Sequence, residues 1–202
     1  MPILAVSGEY KFLRYVGQDV DAVYIKGVKA YGKNLWCFAN SGANDYGSNT
    51  VEAMDNLSRP QHYKFTVTSI ASNIWSRLFQ GLCPAATVPS YDINKQYTTS
   101  YWIKPSLGRM RIYVYLGKLS GSGNTNLVSV ITDFVPNEWN FFSITRTPAG
   151  TDSSTSNANL VGFRYYQADH IGVDLIGQTV EIKDVKLEEG SLSPYSINST
   201  LL

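Results

Sequence analysis

The chain has 202 residues, a net charge of +1, 44% hydrophobic residues and 13% aromatics. Only 16% of its residues are charged, below the usual ~25%, and no basic run is present, so nothing in it predicts a nucleic-acid footprint. No apolar run approaches the ~20 residues that cross a bilayer, so no membrane insertion is expected. The start, MPILAVSGEYKF, lacks the basic and apolar regions of a signal peptide, which predicts a soluble product of the cytoplasm.

In chain order, Asp21–Lys33 reads as a strand, a Lys-Gly turn and a second short strand. This hairpin has too little apolar surface for a core of its own, so residues 1–33 are predicted to attach to a partner or to the main domain. Thr50–Ser58 (TVEAMDNLS) is a weak helical patch with Glu52 and Asp55 near its start. HYKFTVTSI (62–70) and SNIWSRLFQ (72–80) read as a pair of strands. Further strands are predicted over Tyr97–Pro105, Arg109–Gly117, Asn126–Phe134, Glu138–Arg146, Leu160–Ala168 and 178–190, with polar loops between them. Strands of this length and spacing predict an all-β fold, a jelly-roll β-sandwich over residues 34–196, with 197–202 as a C-terminal tail. Cys37 and Cys83 lack a C-x-x-C spacing and are read as two buried thiols, with a disulfide as the alternative.

Catalytic signals are weak. His62 and His170 sit in no metal-ligand spacing, and no nucleophile elbow or phosphate-cradling loop is present. Asp169-His170 reads as an ordinary loop pair, and no convincing pair of carboxylates stands out, so no enzyme activity is expected. The alternation says more. In RIYVYL, Ile112, Val114 and Leu116 share one face, while Arg111, Tyr113 and Tyr115 share the other. In TTSYWIK, Tyr101 and Ile103 go to the core, while Trp102 and Lys104 go outward beside Thr98 and Ser100. In VGFRYY, Val161, Phe163 and Tyr165 suit the core, leaving Arg164 and Tyr166 outward. Aromatics stack on the apolar face of a sugar ring, and Arg, Lys and hydroxyl side chains bond its edges. The set Trp102, Lys104, Arg111, Tyr113, Tyr115, Arg164 and Tyr166 is therefore the candidate carbohydrate site. The same residues also suit a subunit interface, a loop-covered face or plain cross-strand packing. Trp36 and Trp139 are read as core, and Trp75 is divided between core and surface.

Four segments, in order, carry a resemblance: GKNLWCFANSG (32–42), QYTTSYWIKPS (96–106), NEWNFFSIT (137–145) and VEIKDVKLEEGSLSPYS (180–196). Together they resemble the jelly-roll carbohydrate-binding modules of bacteriophage virion proteins, and they span roughly residues 32–196. The resemblance implies a tail-fibre, baseplate or head-fibre protein that binds host cell-surface polysaccharide, contacts other virion proteins and acts as a homotrimer. It implies a virion location, no required cofactor and a structural calcium with Asp184 as ligand; the plain reading of Asp184 is a bulge residue bonded to backbone. Residues 42–63 depart from the family pattern, where a calcium ligand often follows the opening strand, and Glu52 and Asp55 are the residues available to replace it. The final strand is expected to lie beside the first and close the sandwich, with Ile182, Val185 and Leu187 facing the core and a bulge at Lys183-Asp184.

Overall fold

The computed structural model describes strand backbone alone within residues 5–49 and at 79–83, 115, 127–129 and 159–161, and describes side chains over 50–55, 62–70, 94–114, 130–147 and 162–193. Near the N-terminus, β1 (Ala5–Val6), β2 (Leu13–Tyr15) and β3 (Gln18–Asp19) form a small antiparallel sheet. Next, β4 (Ala22–Ile25) pairs with β5 (Val28–Gly32), which is the hairpin read from the sequence. The remaining strands are β6 (Asn40–Ser41), β7 (Gly47–Ala53), β8 (His62–Ile70), β9 (Phe79–Cys83), β10 (Tyr97–Pro105), β11 (Arg109–Tyr115), β12 (Leu127–Asp133), β13 (Asn140–Arg146), β14 (Asn159–Arg164) and β15 (Thr179–Glu189). They form two five-stranded antiparallel sheets. The first has the order β13-β10-β15-β8-β7 and the second β12-β11-β14-β9-β6. From β8 onward the chain crosses between the sheets at nearly every connection, and only β11 and β12 follow one another within one sheet. This is an all-β jelly-roll sandwich.

The core lies between the sheets and follows the period-2 alternation. The first sheet contributes Phe65, Tyr101, Ile103, Val180, Ile182, Val185 and Leu187; the second contributes Met110, Ile112, Val114 and Phe163; all are buried. Each such side chain contributes about 1.5–3 kcal/mol by leaving water. Tyr101 joins the two layers. It stacks on Phe142 of its own sheet at 5.1 Å and meets Phe163 of the other edge-on at 5.4 Å.

Four expectations are corrected. Thr50–Ala53 is part of β7 and pairs with β8, because an edge position on a formed sheet outweighs a short helical preference; residues 56–58 of that patch lie outside the described residues. β8 and β9 are not partners. β8 lies between β15 and β7, and β9 lies between β14 and β6 in the opposite sheet. The strand at Leu160–Ala168 ends at Arg164 and turns into a short 3-10 helix, Gln167–Asp169. Finally, β15 does not lie beside the first strand: it is central, between β10 and β8. Trp36, Trp75 and Cys37 lie outside the described residues, as does the Cys83 side chain.

The Tyr101 hydroxyl is fully buried with no hydrogen-bond partner among the described residues, and burial pushes its pKa well above the ordinary tyrosine value. An unmet buried hydroxyl costs roughly 1–3 kcal/mol. Tyr101→Phe should therefore leave stability unchanged or raise it by up to about 1 kcal/mol in chemical denaturation. A loss of more than about 1 kcal/mol would mean that the hydroxyl is bonded in solution.

Candidate functional site

The sandwich offers two outer sheet faces, and a bulge in β15 sets the first. Ser100 pairs with Lys186 and Trp102 with Lys183, so Tyr101 alone faces Asp184 and Val185. Asp184 takes a left-handed backbone with φ 55°, which Asp and Asn tolerate better than other non-glycine residues. This is the bulge read from the sequence. It keeps Ile182, Val185 and Leu187 inward and turns Glu181, Lys183, Lys186 and Glu188 outward.

That outer face has an open half and a covered half. In the open half, Trp102 of β10 stands directly opposite Phe141 of β13, with ring centroids 5.2 Å apart. They are 37% and 46% exposed. Trp139, half-buried, lies on the same face with the Lys183 ammonium 4.2 Å and the Lys104 ammonium 6.0 Å from its ring centre. His62 meets the Trp139 ring edge-on at 5.4 Å. Glu181 gathers the polar groups: one carboxylate oxygen accepts from Lys104 Nζ at 3.0 Å and the other lies 2.9 Å from His62 Nε2. Burial pushes the Glu181 carboxyl up, but the hydrogen bonds from Lys104 and His62, and the charges facing it, outweigh this and hold it below its ordinary value of 4.5. Trp139 is thus an outer-face residue and not a core cap, because its parity on β13 matches Phe141.

In the covered half, Thr98, Ser100, Lys186 and Glu188 are buried, although their parity is outward. Gly190, with φ 78°, turns the chain back over them, and the Thr98 hydroxyl bonds the Gly190 carbonyl at 2.6 Å. Ser193 gives its N–H and its hydroxyl to the two Glu188 oxygens, each at 2.7 Å. Lys186 Nζ lies 2.7 Å from the Ser193 hydroxyl and 3.3 Å from Glu188, and both charged side chains are 1% exposed. Thr98 and Ser100 therefore flank Trp102 from under a clasp and are not open to a ligand.

On the second sheet, Arg111 and Arg164 oppose each other in register. The Arg111 guanidinium lies 4.0 Å over the Tyr166 ring, and the Arg164 guanidinium lies 4.1 Å over the Tyr113 ring. The Tyr113 and Tyr166 hydroxyls bond each other, and Arg164 Nη1 donates to the Tyr166 hydroxyl at 2.9 Å. Asp169 accepts from Arg111 Nε and Nη2 at 3.0 and 3.4 Å. Both rings were expected to stand outward as stacking surfaces. They are 7% and 2% exposed, each with a guanidinium over it, so neither offers an open face. The Tyr115 side chain lies outside the described residues.

The seven candidate residues therefore divide. Trp102 and Lys104 belong to the first sheet, and Arg111, Tyr113, Arg164 and Tyr166 belong to the opposite side of the sandwich. Phe141, Trp139, Glu181, Lys183 and His62 were not selected from the sequence. The alternation of NFFSITR and VEIK contained the signal for Phe141, Glu181 and Lys183, but only strand order shows that these strands adjoin β10. Among the described residues, no three His, Cys, Asp or Glu side chains converge to hold a metal ion. Asp55 accepts the His62 N–H at 2.8 Å across the β7–β8 connection, and Glu52 is exposed opposite Lys64.

No protein-family model matches the chain, and no curated protein matches it. Among solved structures it is similar to a CBM4 structure, at 15% identity over 76% of this chain and 85% of that one, with TM-score 0.46. It is similar to a family 30 carbohydrate-binding module at 12% identity, over 78% of this chain and 98% of that one, with TM-score 0.45. It is also similar to the enzymatically active domain of bacteriophage CBA120 tailspike protein 4, at 12% identity over 78% of this chain and 20% of that one, with TM-score 0.44. These are similarities of outline; which residues of this chain meet a ligand follows from its own geometry.

Because the folded state holds the Glu181 carboxyl below 4.5, its contribution to stability is present above that pH and is lost as pH falls through the lower folded value. Glu181→Gln should flatten that part of the acid-side fall in melting temperature. An unchanged acid limb would show that the Lys104–Glu181–His62 contacts do not persist in solution.

Proposed function

We propose that this chain is a non-catalytic, carbohydrate-binding virion protein of a bacteriophage, and that it holds host cell-surface polysaccharide on the open half of the first sheet. The observation that carries the reading is the Trp102–Phe141 pair: two adjacent, exposed rings bordered by Lys104, Lys183, Glu181 and His62. Large exposed aromatics on a sheet face are unfavourable unless they meet something, and an apolar strip with a polar border matches a sugar ring's C–H face and hydroxyl edges. The phage setting rests on the four-segment resemblance. In it, residues 1–33 attach the sandwich to the other virion proteins, the chain forms a homotrimer, and weak single-site binding is multiplied by avidity. Calcium at Asp184 belongs to the same resemblance and is not needed by the aromatic face.

A second reading, a purely structural capsid or tail component, is favoured by the loop from Ile171 to Ile176. There Ile171, Val173 and Ile176 are 89%, 43% and 53% exposed, which suits an assembly contact.

A glycan array with host cell-wall material separates the two. Trp102→Ala with Phe141→Ala should stay folded and lose about tenfold or more of the glycan affinity. Glycan binding equal to that of the parent would overturn the assignment of the face. A parent that binds no glycan, with an oligomer that dissociates on Ile171→Asp, would support the structural reading.

A further inference from the structure

The outer face of the second sheet carries an unusual charge arrangement. Arg111 and Arg164 stand directly opposite on β11 and β14, where like charges repel. Asp169 takes Arg111 through two hydrogen bonds. Among the described residues, no carboxylate lies within ion-pair distance of Arg164, although it is half-buried. Among the described residues, Arg164 donates only through Nη1, to the Tyr166 hydroxyl at 2.9 Å and the Tyr113 hydroxyl at 3.4 Å. Its Nε and Nη2 donors have no acceptor among the described residues. Stacking over Tyr113 steadies the guanidinium but does not neutralise it. Two adjacent cations with one carboxylate, held by Arg111, leave this face with a net positive charge that an anion can meet.

The surroundings favour one kind of anion. A guanidinium with a vacant Nε–Nη2 edge matches a carboxylate in a two-bond fork. Ile131 of β12 stands directly opposite Arg111 on the same face and is 47% exposed, so an apolar surface adjoins the charged pair. A pyranose ring bearing a carboxylate presents both features. We propose that the Arg111–Arg164 face is a second binding site, and that it takes the carboxylate of an acidic saccharide of the uronic acid class. The anion pairs with Arg164, Asp169 holds Arg111 in place, and the ring lies toward Ile131. This site is on the opposite side of the sandwich from Trp102, and it does not depend on the sugar reading of that face.

The test is calorimetric titration of the whole chain with galacturonate and glucuronate oligomers, the same oligomers as methyl esters, and inorganic sulfate. The acids should bind about tenfold or more tightly than their esters, and more tightly than sulfate. Arg164→Gln should remove that difference, and Arg164→Lys should restore part of it. Melting temperature and near-ultraviolet circular dichroism report whether the variants are folded, and the ester comparison needs no variant. Equal binding of acid and ester, acid binding unchanged in Arg164→Gln, or no binding of any acid at about millimolar concentration would each overturn the proposal. Acid binding no tighter than sulfate would reduce the site to a simple anion contact and overturn its assignment to a saccharide.

Discussion

The bulge at Asp184 is the constraint on which the first sheet depends. β15 is the central strand, hydrogen-bonded to β10 on one side and β8 on the other. Side chains along a strand alternate strictly, so without an extra residue one half of β15 would turn its charged residues inward. The bulge lets Ile182 and Val185, three residues apart, both enter the core. It also places Glu181 and Lys183 beside Trp102, and Lys186 and Glu188 beside Thr98 and Ser100. One backbone irregularity thus sets the core, the open aromatic half and the clasped half together.

The two halves differ in how they handle charge. Under the clasp, Lys186 and Glu188 are almost fully buried and are satisfied by each other and by Ser193. Buried pairs of this kind add little net stability but are costly to break, so the clasp fixes the path of the chain after Gly190. In the open half the polar groups form a border around exposed rings, and the Lys104–Glu181–His62 contacts hold the lysine beside Trp139. On the opposite sheet the aromatics are closed off by guanidiniums, so what this face presents is positive charge. The same residue types, tyrosine and arginine on alternate positions, give a sealed cluster there and not a stacking surface.

Much of this was legible in the sequence. The alternation of RIYVYL and TTSYWIK placed Tyr101, Ile103, Ile112 and Val114 in the core, and the extra residue at Lys183-Asp184 announced the bulge. The sandwich class followed from strand spacing. Strand order did not, because alternation says which face a residue takes and nothing about which strand lies next to it. For that reason Trp102 and Arg111 were grouped on one face although they lie on opposite sides of the molecule. Trp139 was misread because its position just before β13 hid its parity. The Thr98 hydroxyl meets the Gly190 carbonyl, 92 residues away, and no local pattern reports such a contact. The helical reading of Thr50–Ala53 failed because residues 63–66 of β8 supplied a partner strand.

The central claim is that a saccharide lies on the Trp102–Phe141 face. Its most direct test is the spectrum of the indole N–H groups, four in this chain, in isotope-labelled protein titrated with the glycan that an array selects. The Trp102 and Trp139 signals should shift together and saturate. If Trp102 and Trp139 stay still while glycan binds, or if no array glycan binds at all, the face is not a sugar site.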